Sequence, residues 1–193
     1  MLETLLRPYM QTAADMVVST IGARHPILLT VLSLVFGFAS ALSIAYTHTT
    51  WAIVLLWLSG LCDMLDGTSA RYFNTTSIYG MYADLIADRA VESAIALSLA
   101  SAYPDLAWYT TLFVSSILLH FSTFMLAAFI FPNTGKKSIH YETSIVERSE
   151  AFIVITAMLM FPDYRHILLA TLSYIIISIA CTRFIRMYSL QGE

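Results

Sequence analysis

Four aspartates, Asp63, Asp66, Asp84 and Asp88, stand inside what would otherwise be two more membrane-crossing runs of an apolar chain. The stretch from Trp51 to Cys62 is apolar but too short to cross a hydrocarbon core about 30 Å thick. It reaches full length only as a helix continued through Asp63, Asp66 and Arg71. The next run takes on apolar character only around Ala90 and continues to Ala102, so it needs residues 79–89 to complete a crossing. An acid in or just under the bilayer surface is expensive and marks a functional position by default. Asp63 and Asp66 are i,i+3 and Asp84 and Asp88 are i,i+4, so each pair shares one face of a helix. Two such faces turned toward each other make a cage of hard oxygen ligands for divalent metal ions.

The remaining chain offers four further spans, at about 27–46, 106–131, 145–161 and 166–187, with Pro104, Pro132 and Pro162 at the joins. Of 193 residues 58% are hydrophobic and 12% charged, about half the charge of a soluble domain. Residues 1–20 place Leu2, Leu5, Leu6, Tyr9, Met10, Ala13, Ala14 and Val17 at roughly helical spacing, which suits a helix lying on the membrane. The expected fold is therefore an all-α integral membrane protein. It has six transmembrane helices over residues 21–193, preceded by an N-terminal juxtamembrane amphipathic helix over 1–20, in one domain. Gly37 and Ala41 form a small-xxx-small pair suited to close helix contact, either within the bundle or between copies. Cys62 and Cys181 fall in apolar helical stretches and read as buried free thiols. The five histidines show no metal spacing and read as packing or interfacial residues. No cleavable signal layout opens the sequence.

Six crossings put Arg7, Arg24, Arg71, Lys136, Lys137, Arg148, Arg183 and Arg186 on one side and only Arg165 on the other, with Arg89 inside the third span. The positive-inside rule then assigns the termini, the acid-bearing ends and the 132–147 loop to the cytoplasm. Scattered basic residues and the lack of a basic soluble domain exclude a nucleic-acid partner.

Written out, the acidic stretch is Asp63-x2-Asp66-Gly67-x2-Ala70-Arg71-x8-Gly80-x3-Asp84-x3-Asp88. In this motif, and more loosely along the rest of the chain, the sequence resembles the CDP-alcohol phosphotransferase (CDP-alcohol phosphatidyltransferase) family of membrane enzymes. The resemblance implies that Asp63, Asp66 and Asp84 hold two divalent ions, Mg²⁺ or Mn²⁺. Asp88 is implied as the general base, with metal contact as well. Asp66, Gly67, Ala70, Arg71 and Ser77 are implied in binding the CDP moiety, together with a Pro-x-x-x-Thr segment matched by Pro26 and Thr30. The family often has Asn after that proline, where this chain has Ile27. A homodimer is implied too. The chemistry of the residues agrees: Gly67 and Ala70 leave room for a nucleotide against the helix, and Arg71 can fork onto a phosphate.

The expected activity is transfer of a phosphoalcohol group from a CDP-linked lipid donor, such as CDP-diacylglycerol, to a small polar alcohol, with release of CMP. The acceptor stays open among glycerol 3-phosphate, inositol or inositol phosphate, and serine. Lys136, Arg148 and Arg183 are the candidate residues for an anionic acceptor, against a plain reading as contacts to lipid headgroups. Arg89 either neutralises a neighbouring aspartate or touches substrate. Two rivals use the same acids differently: a divalent-cation transporter, and an intramembrane prenyltransferase.

Overall fold

A computed structural model of the protein describes residues 14–20, 22, 25–130 and 148–190, and among these every regular element is a helix. Residues 14–20 form α1. They are followed by α2 (Pro26–Ala45), α3 (Thr49–Tyr72), α4 (Ile78–Ala102), α5 (Ala107–Ile130), α6 (Arg148–Met160) and α7 (Arg165–Leu190). Short 3-10 turns at Pro104–Leu106 and Pro162–Tyr164 join α4 to α5 and α6 to α7, each opened by a proline whose missing N–H is no loss at a helix start. Four helices are both long and apolar enough to cross a membrane: α2, α3, α5 and α7, the last two counted with their preceding turns. α4 has the length, at 25 residues, but its acids dilute its apolar character, and α6, a helix of 13 residues, contributes the shorter apolar segment Glu150–Met160.

The chain divides into two compact units, Leu2–Ala107 and Trp108–Glu193. In the first, α3 and α4 each pack along α2 rather than along one another. The face of α2 that meets them is small and polar: Thr30, Ser33, Gly37, Ser40 and Ala41 are buried, while Leu28 and Leu42 are about 60% exposed. Such an inside-out helix belongs in lipid, where small residues let backbones approach and hydroxyls bond across the interface. Ser33 donates to the Ser59 carbonyl at 2.9 Å and Ser59 returns a bond to the Ser33 carbonyl at 2.8 Å. Ser40 donates to the Ala52 carbonyl at 2.7 Å. Gly37 sits where three helices meet, and a Cβ there would run into Val91 of α4 and approach Ser59 of α3. The small-xxx-small pair therefore serves packing within this unit.

α1 closes the first unit below the acidic turn of α3. Ala14 and Val18 bury against Leu65, with Leu29, Met64 and Phe73 around them. The sequence assigned Val17 to the apolar face, but the buried stripe runs Ala14–Val18 and leaves Val17 exposed. Positions i+3 and i+4 from Ala14 flank the same face, and packing against Leu65 selects Val18 rather than Val17. Residues 1–13 of the expected amphipathic helix lie outside the described residues.

In the second unit α6 and α7 form a hairpin with Phe152, Ile155, Met158, Leu159, Leu169 and Leu172 buried. Arg165 Nε donates to the Met158 carbonyl at 3.1 Å across the turn, and His166 meets the Tyr109 ring edge-on. Both cysteines are free, as expected, yet Cys62 is only half-buried and Cys181 is exposed. An apolar position on a membrane helix faces lipid as readily as protein, so hydrophobic neighbours alone do not imply burial.

Candidate metal and nucleotide site

The acids are brought together by a tight reversal over residues 73–77. α3 ends at Tyr72 with Phe73 as its C-cap, and Asn74 adopts a left-handed backbone with φ 53°. Thr75 N–H then reaches back to the Ala70 carbonyl at 2.9 Å and Asn74 N–H to the Arg71 carbonyl at 3.3 Å, the paired bonds of a Schellman cap. Ser77 starts α4 at once, its hydroxyl accepting from Gly80 N–H at 2.9 Å. Asp66 lies six residues before the end of α3 and Asp84 six after the start of α4, so both sit about 9 Å from the reversal.

One carboxylate oxygen from each of Asp63, Asp66 and Asp84 lies within 4.8 Å of the others. Two ligands on opposite sides of one Mg²⁺ or Ca²⁺ ion are themselves about 4–5 Å apart, so this spread fits shared coordination. Asp63 and Asp84 are half-buried and Asp66 is buried, with 6% exposure. Asp88, one turn beyond Asp84, is within electrostatic reach of both Asp66 and Asp84. Like charges gathered this tightly repel, and an oxygen-loving cation is what relieves them.

Around the acids, Arg71 is exposed and folds back along its own helix. Its Nη2 is 3.3 Å from Thr68 Oγ1, and Thr68 in turn donates to the Met64 carbonyl at 2.9 Å. Gly67 permits this fold, because a Cβ there would stand 3.2 Å from Arg71 Nη1. Thr30 is buried and donates to Asp66 Oδ2 at 2.6 Å, while Pro26 begins the same helix. Ser77, expected at the nucleotide, is the N-cap of α4 in this structure. Ala70 is half-buried on α3, one turn beyond Asp66. Arg89 makes an ion pair with Glu92 at 2.8 Å, a partner the sequence reading did not weigh.

Of the acceptor-side residues, Lys136 and the side chain of Arg148 lie outside the described residues. Arg183 is half-buried against α5. Its Nη1 donates to the His120 carbonyl at 3.2 Å and lies 3.4 Å from Thr123 Oγ1. Its Nη2 is 3.3 Å from His120 Nε2, and its guanidinium lies 5.4 Å from the centre of the Phe124 ring. Three partners were missed from the sequence: Thr68 behind Arg71, His120 beside Arg183, and the bond from Thr30 to Asp66. Thr68 at i−3 from Arg71 was readable from helical spacing, whereas the other two join residues 63 and 36 positions apart.

Residues 23–185 match the family model for CDP-alcohol phosphatidyltransferase. The chain belongs to the CDP-alcohol phosphatidyltransferase family. Within that family it is similar to the phosphatidylinositol phosphate synthase of Mycobacteroides abscessus, 25% identical over 132 residues that cover 66% of this chain and 60% of that protein. It is also similar to a probable CDP-diacylglycerol–inositol 3-phosphatidyltransferase of Arabidopsis thaliana, 28% identical over 104 residues that cover 54% of this chain and 46% of that protein. The chain thus spans 60% and 46% of these relatives' lengths. The crystal structure of Mycobacterium tuberculosis phosphatidylinositol phosphate synthase with CDP-DAG bound shares its fold, with a TM-score of 0.72 at 18% identity, covering 91% of this chain and 92% of that one. The long acidic motif of this family member is therefore the segment whose carboxylates converge in the structure.

Proposed function

We propose that this chain transfers the phosphatidyl group of a CDP-linked lipid, such as CDP-diacylglycerol, to a hydroxyl of an inositol-type alcohol and releases CMP. The observation that carries the reading is the approach of Asp63, Asp66 and Asp84, from two helices, to within 4.8 Å. These three, with Asp88, would hold two divalent ions, Mg²⁺ or Mn²⁺. When bound, the ions neutralise the diphosphate and align entering and leaving oxygens.

The chain's own residues carry the remaining work. Asp88 takes the proton of the acceptor hydroxyl. The acceptor oxygen forms a bond to the phosphorus that bears the diacylglycerol, the bond from that phosphorus to the bridging oxygen breaks, and CMP departs with the bridging oxygen. Arg71 swings from Thr68 onto a donor phosphate, and the bare surface at Gly67 and Ala70 receives the nucleotide. Pro26, Thr30 and Ser77 complete the nucleotide side. Acyl chains enter from the bilayer, and the nucleotide and acceptor enter from the cytoplasmic face. The protein works as one six-span membrane domain and as a homodimer.

Lys136, Arg148 and Arg183 bind the acceptor, and a phosphorylated inositol suits them best. Among the described residues, the groups that Arg183 touches, His120, Thr123 and Phe124, include no acid, so its charge is available to an anion. The names of the relatives, a phosphatidylinositol phosphate synthase and an inositol phosphatidyltransferase, favour the same class over glycerol 3-phosphate and serine. Family membership gives no support to a cation transporter or a prenyltransferase.

The test is CMP release by the purified protein in lipid nanodiscs supplied with CDP-diacylglycerol, Mg²⁺ or Mn²⁺, and one acceptor at a time. The expected result is metal-dependent CMP formation with inositol phosphate, less with inositol, and none with glycerol 3-phosphate or serine. Preference for either of the last two overturns the acceptor assignment. No CMP with any of the four overturns the transfer itself.

A further inference from the structure

Thr30 and Asp66 are 36 residues apart and are joined across α2 and α3 by a short side-chain hydrogen bond, 2.6 Å from Thr30 Oγ1 to Asp66 Oδ2. Both are nearly inaccessible, at 7% and 6% exposure. A hydroxyl has one proton to donate. The alternative acceptor for Thr30, the Pro26 carbonyl, is at 3.3 Å, beyond the usual range for O–H···O bonds, so the proton goes to Asp66. A short bond from hydroxyl to carboxylate, shielded from water, is among the stronger polar contacts a protein makes.

The surrounding architecture makes this bond directional. Thr30, Ser33, Gly37 and Ser40 form one face of α2, and the reciprocal Ser33–Ser59 bonds lie about one turn from Thr30. Those bonds lock the register of α2 against α3, so Thr30 has little freedom to follow Asp66 if the carboxylate rotates. Thr in a helix is confined to two χ1 rotamers, and the one seen here directs the hydroxyl to Asp66. Asp66 has one oxygen pinned from α2 while its carboxylate also belongs to the three-acid cluster. The negative charge of Asp63, Asp84 and Asp88 bears on the same carboxylate, and the bond from Thr30, beside one from the Gly67 backbone, opposes its turning away.

We infer that Thr30 is a positioning residue for the metal site, orienting the Asp66 carboxylate from the neighbouring helix. The inference rests on the proposed role of Asp66 as a metal ligand, and it gives Thr30 work in the protein before any nucleotide arrives. Groups that orient a metal ligand typically change metal affinity about 10–100-fold when removed. Thr30→Val keeps the shape and removes the donor, and Thr30→Ser keeps the donor.

The experiment is Mn²⁺ binding by electron paramagnetic resonance, on purified full-length protein in nanodiscs with no nucleotide and no acceptor. Wild type, Thr30→Val, Thr30→Ser, Asp66→Asn and the Thr30→Val/Asp66→Asn double variant are compared, each checked for helicity and monodispersity. The expected result is Mn²⁺ affinity about tenfold or more weaker in Thr30→Val and within about threefold of wild type in Thr30→Ser. No further loss is expected when Thr30→Val is added to Asp66→Asn. Unchanged Mn²⁺ affinity in Thr30→Val overturns the inference, and so does an additive loss in the double variant. If Thr30→Val does not fold, Thr30→Ser decides: affinity lost in that folded variant refutes the donor role, and affinity retained supports it. Failure of the metal reading itself looks different, because wild type and Asp66→Asn would then bind Mn²⁺ equally.

Discussion

Asp63 and Asp88 stand at opposite ends of the acidic motif, and substitution separates their roles. Asp63 belongs to the group of oxygens lying within 4.8 Å of one another, so on the proposed reading Asp63→Asn removes a metal ligand. Activity and Mn²⁺ binding are expected to fall together, by about 100-fold or more, since loss of a ligand should exceed loss of its support. Asp88 is one turn beyond Asp84 on α4 and acts electrostatically on Asp66 and Asp84. As general base, Asp88→Asn should lower kcat by about 10²–10⁴-fold with a much smaller change in Mn²⁺ affinity. Equal losses in both measurements would make Asp88 a ligand instead. Arg183→Gln addresses the acceptor in the same way. Hydrogen bonds to a charged group are worth about 1.5–3 kcal/mol, so KM for inositol phosphate should rise about tenfold or more while KM for inositol stays near its wild-type value. At this scale the acids were legible because helical spacing alone puts i,i+3 and i,i+4 residues on one face. Thr30 was readable as a likeness to a nucleotide contact, but its bond to Asp66 depends on the register of two helices, which a single sequence does not encode locally.

Between elements, α2 is the frame on which both acid-bearing helices are mounted, and Gly37 is its tightest point. A methyl group there would meet both γ-carbons of Val91, a side chain with little rotamer freedom. Gly37→Ala is expected to destabilise the protein by about 1–3 kcal/mol, the usual range for overpacking, and Val91→Ala in the same chain should recover most of it. Thermal unfolding in detergent, followed by helicity, checks both variants. The reversal between α3 and α4 makes a separate demand. Asn74 is left-handed, so Asn74→Ala should cost about 1–2 kcal/mol and Asn74→Gly little or nothing. The helix bounds were legible in advance because proline, glycine and the exhaustion of apolar runs mark them, and residues 79–102, expected as one helix, form α4 at Ile78–Ala102. The face of α1 was not, because Ala14, Val17 and Val18 are all apolar and only packing on Leu65 chooses between them. The fate of Gly37 was equally hidden: a small-xxx-small pair states that something comes close, and only the fold says that it is Val91.

For the whole molecule the decisive quantity is the distribution of charge, because it sets which side of the membrane the acids serve. Hydropathy on its own marks four crossings, because α4 carries acids and α6 has only 13 described residues, whereas the proposed topology has six. The basic residues bear on the proposed six crossings: with that topology eight fall on the side of the α3–α4 reversal and one on the other. If α4 did not cross, the segments after it would exchange sides. Lys136, Lys137, Arg148, Arg183 and Arg186 would then face away from Arg7, Arg24 and Arg71, and the asymmetry would nearly vanish. Reporter fusions distinguish the two arrangements. With six crossings, a fluorescent protein at either terminus is bright in the cytoplasm, and a periplasmic phosphatase reporter inserted after Tyr103 is active. A phosphatase reporter inserted after Lys137 stays inactive. Activity at Lys137 would put that loop across the membrane from the α3–α4 reversal, and no acceptor phosphate bound by Lys136 could then meet a nucleotide bound by Arg71.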